Sequence, residues 1–313
     1  MTGTNIYVSI MFALYFIAKA YLLSPVLTHA LPRLQHEVYG LAVLFDEVFI
    51  VRRKTPELEA YSITATTWTP TRRLPVNDME NPVDMAACRK FSCIYVADCE
   101  NPEVPGMLKR RFKKWQQKNV VHRIEKEGSA INWMVGDKLT ALSVTAEPNY
   151  HVIVTCREAR KLNEFTTNGV LVREVVLQHD VVNPLHAVTF NGRFIVSHGF
   201  SFDDRTRVCI VDCTGRVTAF YDEPRNESVK GRLGCPLHLA VDGDGNIFAV
   251  DLNNRRILLM DPTLCEVREL VTKDNVDRPI FFPSRLYLDD LRGRLFVADG
   301  GNNDALVLRV KDV

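Results

Sequence analysis

The chain has 313 residues, with 39 Lys and Arg against 38 Asp and Glu, for a formal net charge of +1. Hydrophobic residues make up 46% of it and charged residues 25%. That balance excludes a disordered, collagenous, coiled-coil or polytopic membrane protein, and it leaves no global basic field to attract nucleic acid.

The first element is an apolar run from Ile6 to Ala18, broken by Ser9 and followed by Lys19. It is too short to span a bilayer, which takes roughly 20 residues, but it fits the apolar core of a secretory signal peptide. Ala18-Lys19-Ala20 supplies small residues at the cleavage spacing, whereas no Lys or Arg precedes the run. A buried strand or helix and an incorrect gene start are the competing readings. The chain is expected to be secreted if residues 1–20 are a signal peptide, and cytoplasmic otherwise. Asn226-Glu227-Ser228 has meaning as a glycosylation acceptor only in the first case.

From about residue 37 the sequence repeats itself. Tyr39-Gly40-Leu41-Ala42-Val43-Leu44 leads through a short turn into Val48-Phe49-Ile50-Val51 and then Glu57–Ile63. Pro82 opens a second copy, with Val83–Cys88 and then Cys93–Asp98. This copy carries an insertion, 101–119, with the most basic run of the chain. A fainter copy covers Thr140–Cys156 and Arg160–Leu177, and Pro184 opens another. The clearest copy starts at Pro236. His238–Val241 ends at Asp-Gly-Asp-Gly, a strong hairpin turn, and Asn246–Val250, Arg256–Met260 and Val267–Val271 follow as strands. Pro283 opens the last copy, which stops after three strands.

The ends of the second strands align at Arg53, Asp98, Cys156, His198, Asp251 and Asp299. Six units of about 40–50 residues, each with four strands, predict an all-β, six-bladed β-propeller of four-stranded antiparallel blades over residues 37–313. The fourth strand missing from the last unit is expected from residues 25–36, pairing the two ends of the chain.

The repeat resembles the NHL repeat, a family within the TolB-like propeller superfamily. Leu239-Ala240-Val241-Asp242, Gly245–Asp251 and Asn254-Arg255-Arg256-Ile257 match its pattern closely. Arg294–Asp299 and Cys93–Asp98 match its second strand, and Val120-Val121-His122-Arg123-Ile124 its third. The resemblance covers about half the chain. It implies a six-bladed, monomeric ring and no single activity, since relatives include protein- and RNA-binding platforms and a minority of enzymes. No RING or B-box cysteine and histidine pattern is present, so no ligase activity carries over.

The residue two after each opening proline, or its equivalent, is Gly40, Asp84, Ser143, His186, His238 and Arg285. The family pattern puts Gly there. Asp84, His186, His238 and Arg285 are instead expected to ring the mouth of the central channel. Two His and one Asp suit a zinc ion with open positions, and Arg285 suits an anion. The plain alternative is a hydrated channel entrance. Asp98, Asp251 and Asp299 suit a cation or, more simply, hydrogen bonds to the adjacent loop, and Asp242-Gly-Asp244-Gly lacks the later acidic residue that an EF-hand calcium loop requires.

Lys109, Arg110, Arg111, Lys113, Lys114 and Trp115 form the candidate partner-binding set. Interleaved basic and aromatic side chains suit single-stranded RNA, an acidic lipid surface or a protein, and equally a solvated loop. Of the eight cysteines, Cys88 and Cys93 flank a tight connection that brings them within bonding range. Cys209 and Cys213 lie about 13 Å apart if both are on one strand.

The sequence therefore reads as a non-catalytic scaffold that binds a protein or RNA through the channel-mouth face and the basic insertion. The alternative is a metal-dependent hydrolase or lyase at the channel mouth. No cofactor is expected under the first reading; zinc or calcium enters under the second.

Overall fold

The computed structural model describes residues 25–30, 37–63, 67–99, 119–199, 206–221, 233–272, 276 and 278–311. The apolar run at 6–18, the basic residues of the insertion and Asn226 lie outside these residues. Among those described, no helix is long and apolar enough to cross a membrane.

The strands form six separate four-stranded antiparallel sheets. Blade 1 is β2 (Val38–Leu44), β3 (Glu47–Arg52), β4 (Glu57–Ile63) and β5 (Trp68–Pro75). Blade 2 is β6 (Pro82–Cys88), β7 (Cys93–Asp98), β8 (Val120–Glu125) and β9 (Ala130–Met134). Blade 3 is β10 (Leu139–Val144), β11 (Val152–Cys156), β12 (Lys161–Phe165) and β13 (Leu171–Val176). Blade 4 is β14 (Pro184–Phe190), β15 (Arg193–His198), β16 (Arg207–Val211) and β17 (Val217–Tyr221). Blade 5 is β18 (Pro236–Val241), β19 (Ile247–Asp251), β20 (Arg256–Met260) and β21 (Val267–Val271).

Blade 6 takes β22 (Pro283–Asp289), β23 (Arg294–Asp299) and β24 (Asp304–Arg309) from the end of the chain and β1 (Val26–Ala30) from its beginning. Val26 pairs with Arg309 and Ala30 with Leu306. Thr28 donates from its hydroxyl to the Val307 carbonyl at 2.9 Å. The two ends of the chain thus share one sheet, and β24 gains a partner where it would otherwise leave an unpaired edge.

The burial pattern follows from this arrangement. Second and third strands are covered on both faces by neighbouring blades, so β7, β11, β19 and β20 are buried along their whole length. Outermost strands such as β9 and β13 face solvent over most of theirs. The apolar core is divided into six clusters, one at each blade–blade interface. Phe49 and Leu58 of blade 1 pack on Met85 and Ile94 of blade 2. Leu41 and Ile50 pack on Phe296 and Val307 of blade 6, which closes the ring.

The register corrects two details of the sequence alignment. Val38 pairs with Arg52, as Pro82 pairs with Asp98, so Arg52 rather than Arg53 ends the second strand of blade 1. Leu139 pairs with Cys156 and Ala141 with Thr155, as Pro184 pairs with His198 and His186 with Ser197. The blade 3 counterpart of Asp84 and His186 is therefore Ala141, not Ser143. The turn around cis Glu147-Pro148 lengthens the first hairpin of blade 3 and displaced the alignment by two residues. Cys213 lies beyond the end of β16, so it does not share a strand with Cys209.

Candidate functional site

All six innermost strands carry a register shift close to their first residue, before Gly40, Asp84, Ala141, His186, Leu239 and Arg285 in turn. A bulge re-aims the side chain beside it. Here it turns that side chain toward the inner edge of the next blade, where a backbone N–H has no strand partner and needs an acceptor. Asp84 Oδ2 accepts from Leu142 N of blade 3 at 2.8 Å. His186 Nδ1 accepts from Leu239 N of blade 5 at 3.2 Å. His238 Nδ1 accepts from Leu286 N of blade 6 at 3.4 Å. The three donor amides occupy the same register in their blades.

The same side chains meet in the channel. Arg285 of blade 6 donates from Nε to Asp84 Oδ1 of blade 2 at 3.0 Å, and from Nη1 to its neighbour's carbonyl, Ser284 O, at 2.9 Å. Its other terminal nitrogen bonds the Val83 carbonyl. Blade 1, which lies between blades 6 and 2, offers Gly40 at this level. A Cβ there would lie 2.7 Å from Val51 Cγ2 and 2.9 Å from Met85 Cγ. His238 Nε2 stands 3.5 Å from Asp84 Oδ1, across the ring from blade 5 to blade 2. The His186 and His238 rings stack with centroids 3.7 Å apart. All four sequence-predicted channel residues are therefore brought together, and Asp84 and His186 are each only 1% exposed.

Protonation follows from these contacts. Burial alone would raise the Asp84 pKa, but the Arg285 charge and the neighbouring His238 hold it well below the usual carboxylate range. Burial, reinforced by the neighbouring His238, pushes His186 down to about 3, and burial likewise lowers His238. Both rings are therefore neutral at pH 7, which permits their stacking. His186 accepts at Nδ1 and donates from Nε2 to Leu142 O at 3.0 Å, so both its nitrogens are engaged.

This arrangement bears on a metal. Ligand atoms of Asp84, His186 and His238 lie within 4.8 Å of one another. A cation would nevertheless require His186 to give up a backbone bond, and it would face the Arg285 guanidinium on the same carboxylate. Of the candidate ligand atoms only His238 Nε2 lacks a hydrogen-bond partner, so as they stand the residues form a hydrogen-bonded cluster rather than a zinc centre.

The second-strand carboxylates on this face are also committed. Asp98 accepts from Glu80 N and Asn81 N at 3.0 and 2.7 Å, and Asp251 from Gly234 N and Cys235 N at 3.0 and 3.2 Å. Asp299 accepts from Phe281 N and Phe282 N at 3.1 and 2.7 Å. Each holds the loop that enters its own blade. On the opposite face, Asp242 accepts from Asp244 N and Asn246 N within its own hairpin, which holds the Asp-Gly-Asp-Gly turn.

Phe281 and Phe282, whose amides Asp299 fixes, point outward and are 40% and 53% exposed. The Arg255 guanidinium lies 5.9 Å from each ring centroid. Phe282 rests on the backbone of Gly301, where a Cβ would come within 2.6 Å of its ring. Sequence reasoning missed this trio. The available signal was a pair of phenylalanines in a proline-flanked loop, off any strand alternation. The basic set Lys109, Arg110, Arg111, Lys113, Lys114 and Trp115 lies outside the described residues.

The other end of the ring is different. The hairpins of blades 2 to 5 surround a cavity of about 990 Å³, lined in part by Cys88, Arg89, Lys90, Tyr150 and Arg173.

The fold is that of a six-bladed β-propeller. The chain matches no family model and no curated protein sequence. It is similar in structure to virginiamycin B lyase from Staphylococcus aureus, at 14% identity and a TM-score of 0.59, over 90% of this chain and 98% of that one. It is similar to the WD40 propeller domain of Doa1, at 10% identity and a TM-score of 0.60, over 91% and 96%. It is also similar to the PQQ-bound aldose sugar dehydrogenase from Streptomyces coelicolor, at 10% identity and a TM-score of 0.60, over 92% and 98%. At such identities the likeness concerns the fold, which scaffolds and enzymes share.

Proposed function

We propose that this chain is a non-catalytic propeller scaffold of the NHL type that binds a protein partner on its channel-mouth face. The observation that carries this reading is the exposed Phe281–Phe282 pair, held by Asp299 and flanked by Arg255. Aromatic side chains and Arg are enriched in the energetic centres of protein interfaces, and rigid presentation lowers the entropy lost on binding. In this reading Lys109, Arg110, Arg111, Lys113, Lys114 and Trp115 add charge and a further ring to the same partner. The polar channel residues support it indirectly. Asp84, His186 and Arg285 spend their hydrogen-bonding capacity on one another and on blade backbones, and His238 is held to the Leu286 amide through Nδ1 with only its Nε2 left over. The hydrolase or lyase alternative has no comparable observation in its favour.

Site-specific photo-crosslinking tests the proposal. A photoreactive phenylalanine analogue is placed at position 282, and for comparison at position 291, where Leu291 is 76% exposed at the opposite end of the ring. A discrete protein adduct from 282, absent from 291 and weakened when residues 101–118 are deleted, is the expected result. Equal labelling from both positions, or an adduct removed by ribonuclease, overturns the protein-scaffold reading.

A further inference from the structure

Cys88 and Cys93 are directly opposite each other as the last pair of the β6–β7 hairpin, across the connection Arg89-Lys90-Phe91-Ser92. Opposed residues in an antiparallel pair have Cα atoms about 4.5–5.5 Å apart, inside the range that a disulfide needs. As a directly opposed pair they project their side chains from the same face of the hairpin. Ser92 N donates to Arg89 O and Ser92 has a φ of +51°, so the connection is a tight turn. Arg123, on the neighbouring strand β8, is the diagonal same-face neighbour of Cys93. Cys88 also lines the cavity of about 990 Å³ at this end of the ring.

We propose that Cys88 and Cys93 are a peroxide-reactive thiol pair, with Cys88 the attacking sulfur, Cys93 the resolving one, and the cavity the route by which a small hydroperoxide arrives. Reactive cysteines are those whose thiolate is stabilised by nearby donors and positive charge. At Cys88 the neighbouring Cys93 thiol lowers the pKa most, burial opposes it, and the Phe91 and Lys90 amides and then the Arg123 charge lower it further, while Cys93 is shifted upward and keeps the proton. The Cys88 thiolate attacks one peroxide oxygen. An S–O bond forms, the O–O bond breaks, and the departing hydroxide takes up a proton to become water. Cys88 is then a sulfenic acid. Cys93 next attacks that sulfur, an S–S bond forms, the S–O bond breaks, and the leaving hydroxide takes the Cys93 proton. Two thiols and one hydrogen peroxide give one disulfide and two waters, the sulfurs being oxidised and the peroxide reduced. The product bridges residues already paired in the hairpin, so the ring need not rearrange to accommodate it.

The chain contains its own control. Cys213 and Cys265 are exposed, whereas Cys88 and Cys93 are buried. Simple accessibility predicts that the exposed pair oxidises first; the proposal predicts the reverse. The test treats the reduced, folded protein with about one equivalent of hydrogen peroxide, then alkylates and maps peptides. Trypsin cuts at Arg89 and Lys90, so a Cys88–Cys93 disulfide joins two separate peptides. That linked species, formed about tenfold faster than modification of Cys213 or Cys265, is the expected result. In Cys93→Ser, a 1,3-diketone probe should trap a sulfenic acid on Cys88. Oxidation of Cys213 and Cys265 with Cys88 and Cys93 still alkylated overturns the proposal, and so does trapping on any other cysteine. The wild-type mapping decides the matter even if the serine variant folds poorly.

Discussion

The two ends of the ring use polar residues in opposite ways. At the channel mouth, Asp84, His186, His238 and Arg285 look like a reactive cluster by composition, yet each side chain is tied to another or to a blade amide. At the far end the hairpins leave a cavity of about 990 Å³, with Cys88, Arg89 and Lys90 among its lining residues. The difference teaches that a convergence of titratable residues is not by itself a site. What matters is whether their hydrogen-bonding capacity is already spent.

The comparison breaks most sharply at Asp84. Asp84→Ala strands Arg285 and the Leu142 amide in a buried setting, and should cost about 3–5 kcal/mol in urea unfolding. A near-neutral result would mean that the cluster does not hold the blades together. Asp251→Ala should cost somewhat less, about 2–3 kcal/mol, by stranding the Gly234 and Cys235 amides and leaving Arg256 with Glu269 as its carboxylate partner. The counterpart change in blade 3, Cys156→Ala, removes no such acceptor and should cost about 1 kcal/mol. Equal losses at the two positions would show that the second-strand Asp does not carry its entry loop.

Acid sharpens the same contrast. His186 has a folded pKa near 3 against about 6.5 when unfolded, so the unfolded chain binds the extra proton between these values. Its contribution to stability is complete above about pH 6.5 and is lost as pH falls toward 3. His238 acts in the same direction, and so does Asp84 below about pH 4, because their folded pKa values are also lowered. Thermal unfolding should thus reveal a loss of about 2 kcal/mol between pH 6.5 and 5. His186→Gln should flatten that slope, since an amide can still accept from Leu239 and donate to Leu142 without titrating. A slope unchanged in the variant would assign the acid sensitivity elsewhere.

Much of the ring was legible because its signals are local. Strand alternation, the Asp-Gly-Asp-Gly turn and the recurring second strands each depend on a few adjacent residues, and β20 and β21 have the boundaries read from sequence. The convergence of Asp84, His186, His238 and Arg285 was legible because a repeat places equivalent residues at equivalent radius. What they do there was not, since it depends on bulges and on amides contributed by the next blade. Ser143 was mistaken for Ala141 because the longer Ala146–Tyr150 turn in blade 3 is invisible to spacing alone. Phe281 and Phe282 were missed because nothing in a linear pattern says that Asp299 holds their backbone and turns their rings outward.

The smallest expected change in stability belongs to the residues that matter most for binding. Phe281→Ala with Phe282→Ala should alter unfolding stability by less than about 1 kcal/mol, as both side chains are only about half buried. Once a partner has been captured, the most direct measurement is its affinity for this double variant beside the parent chain. The scaffold reading predicts at least about a thirtyfold loss of affinity with the ring intact. Unchanged affinity in a folded double variant would contradict it and return the search to other surfaces of the propeller.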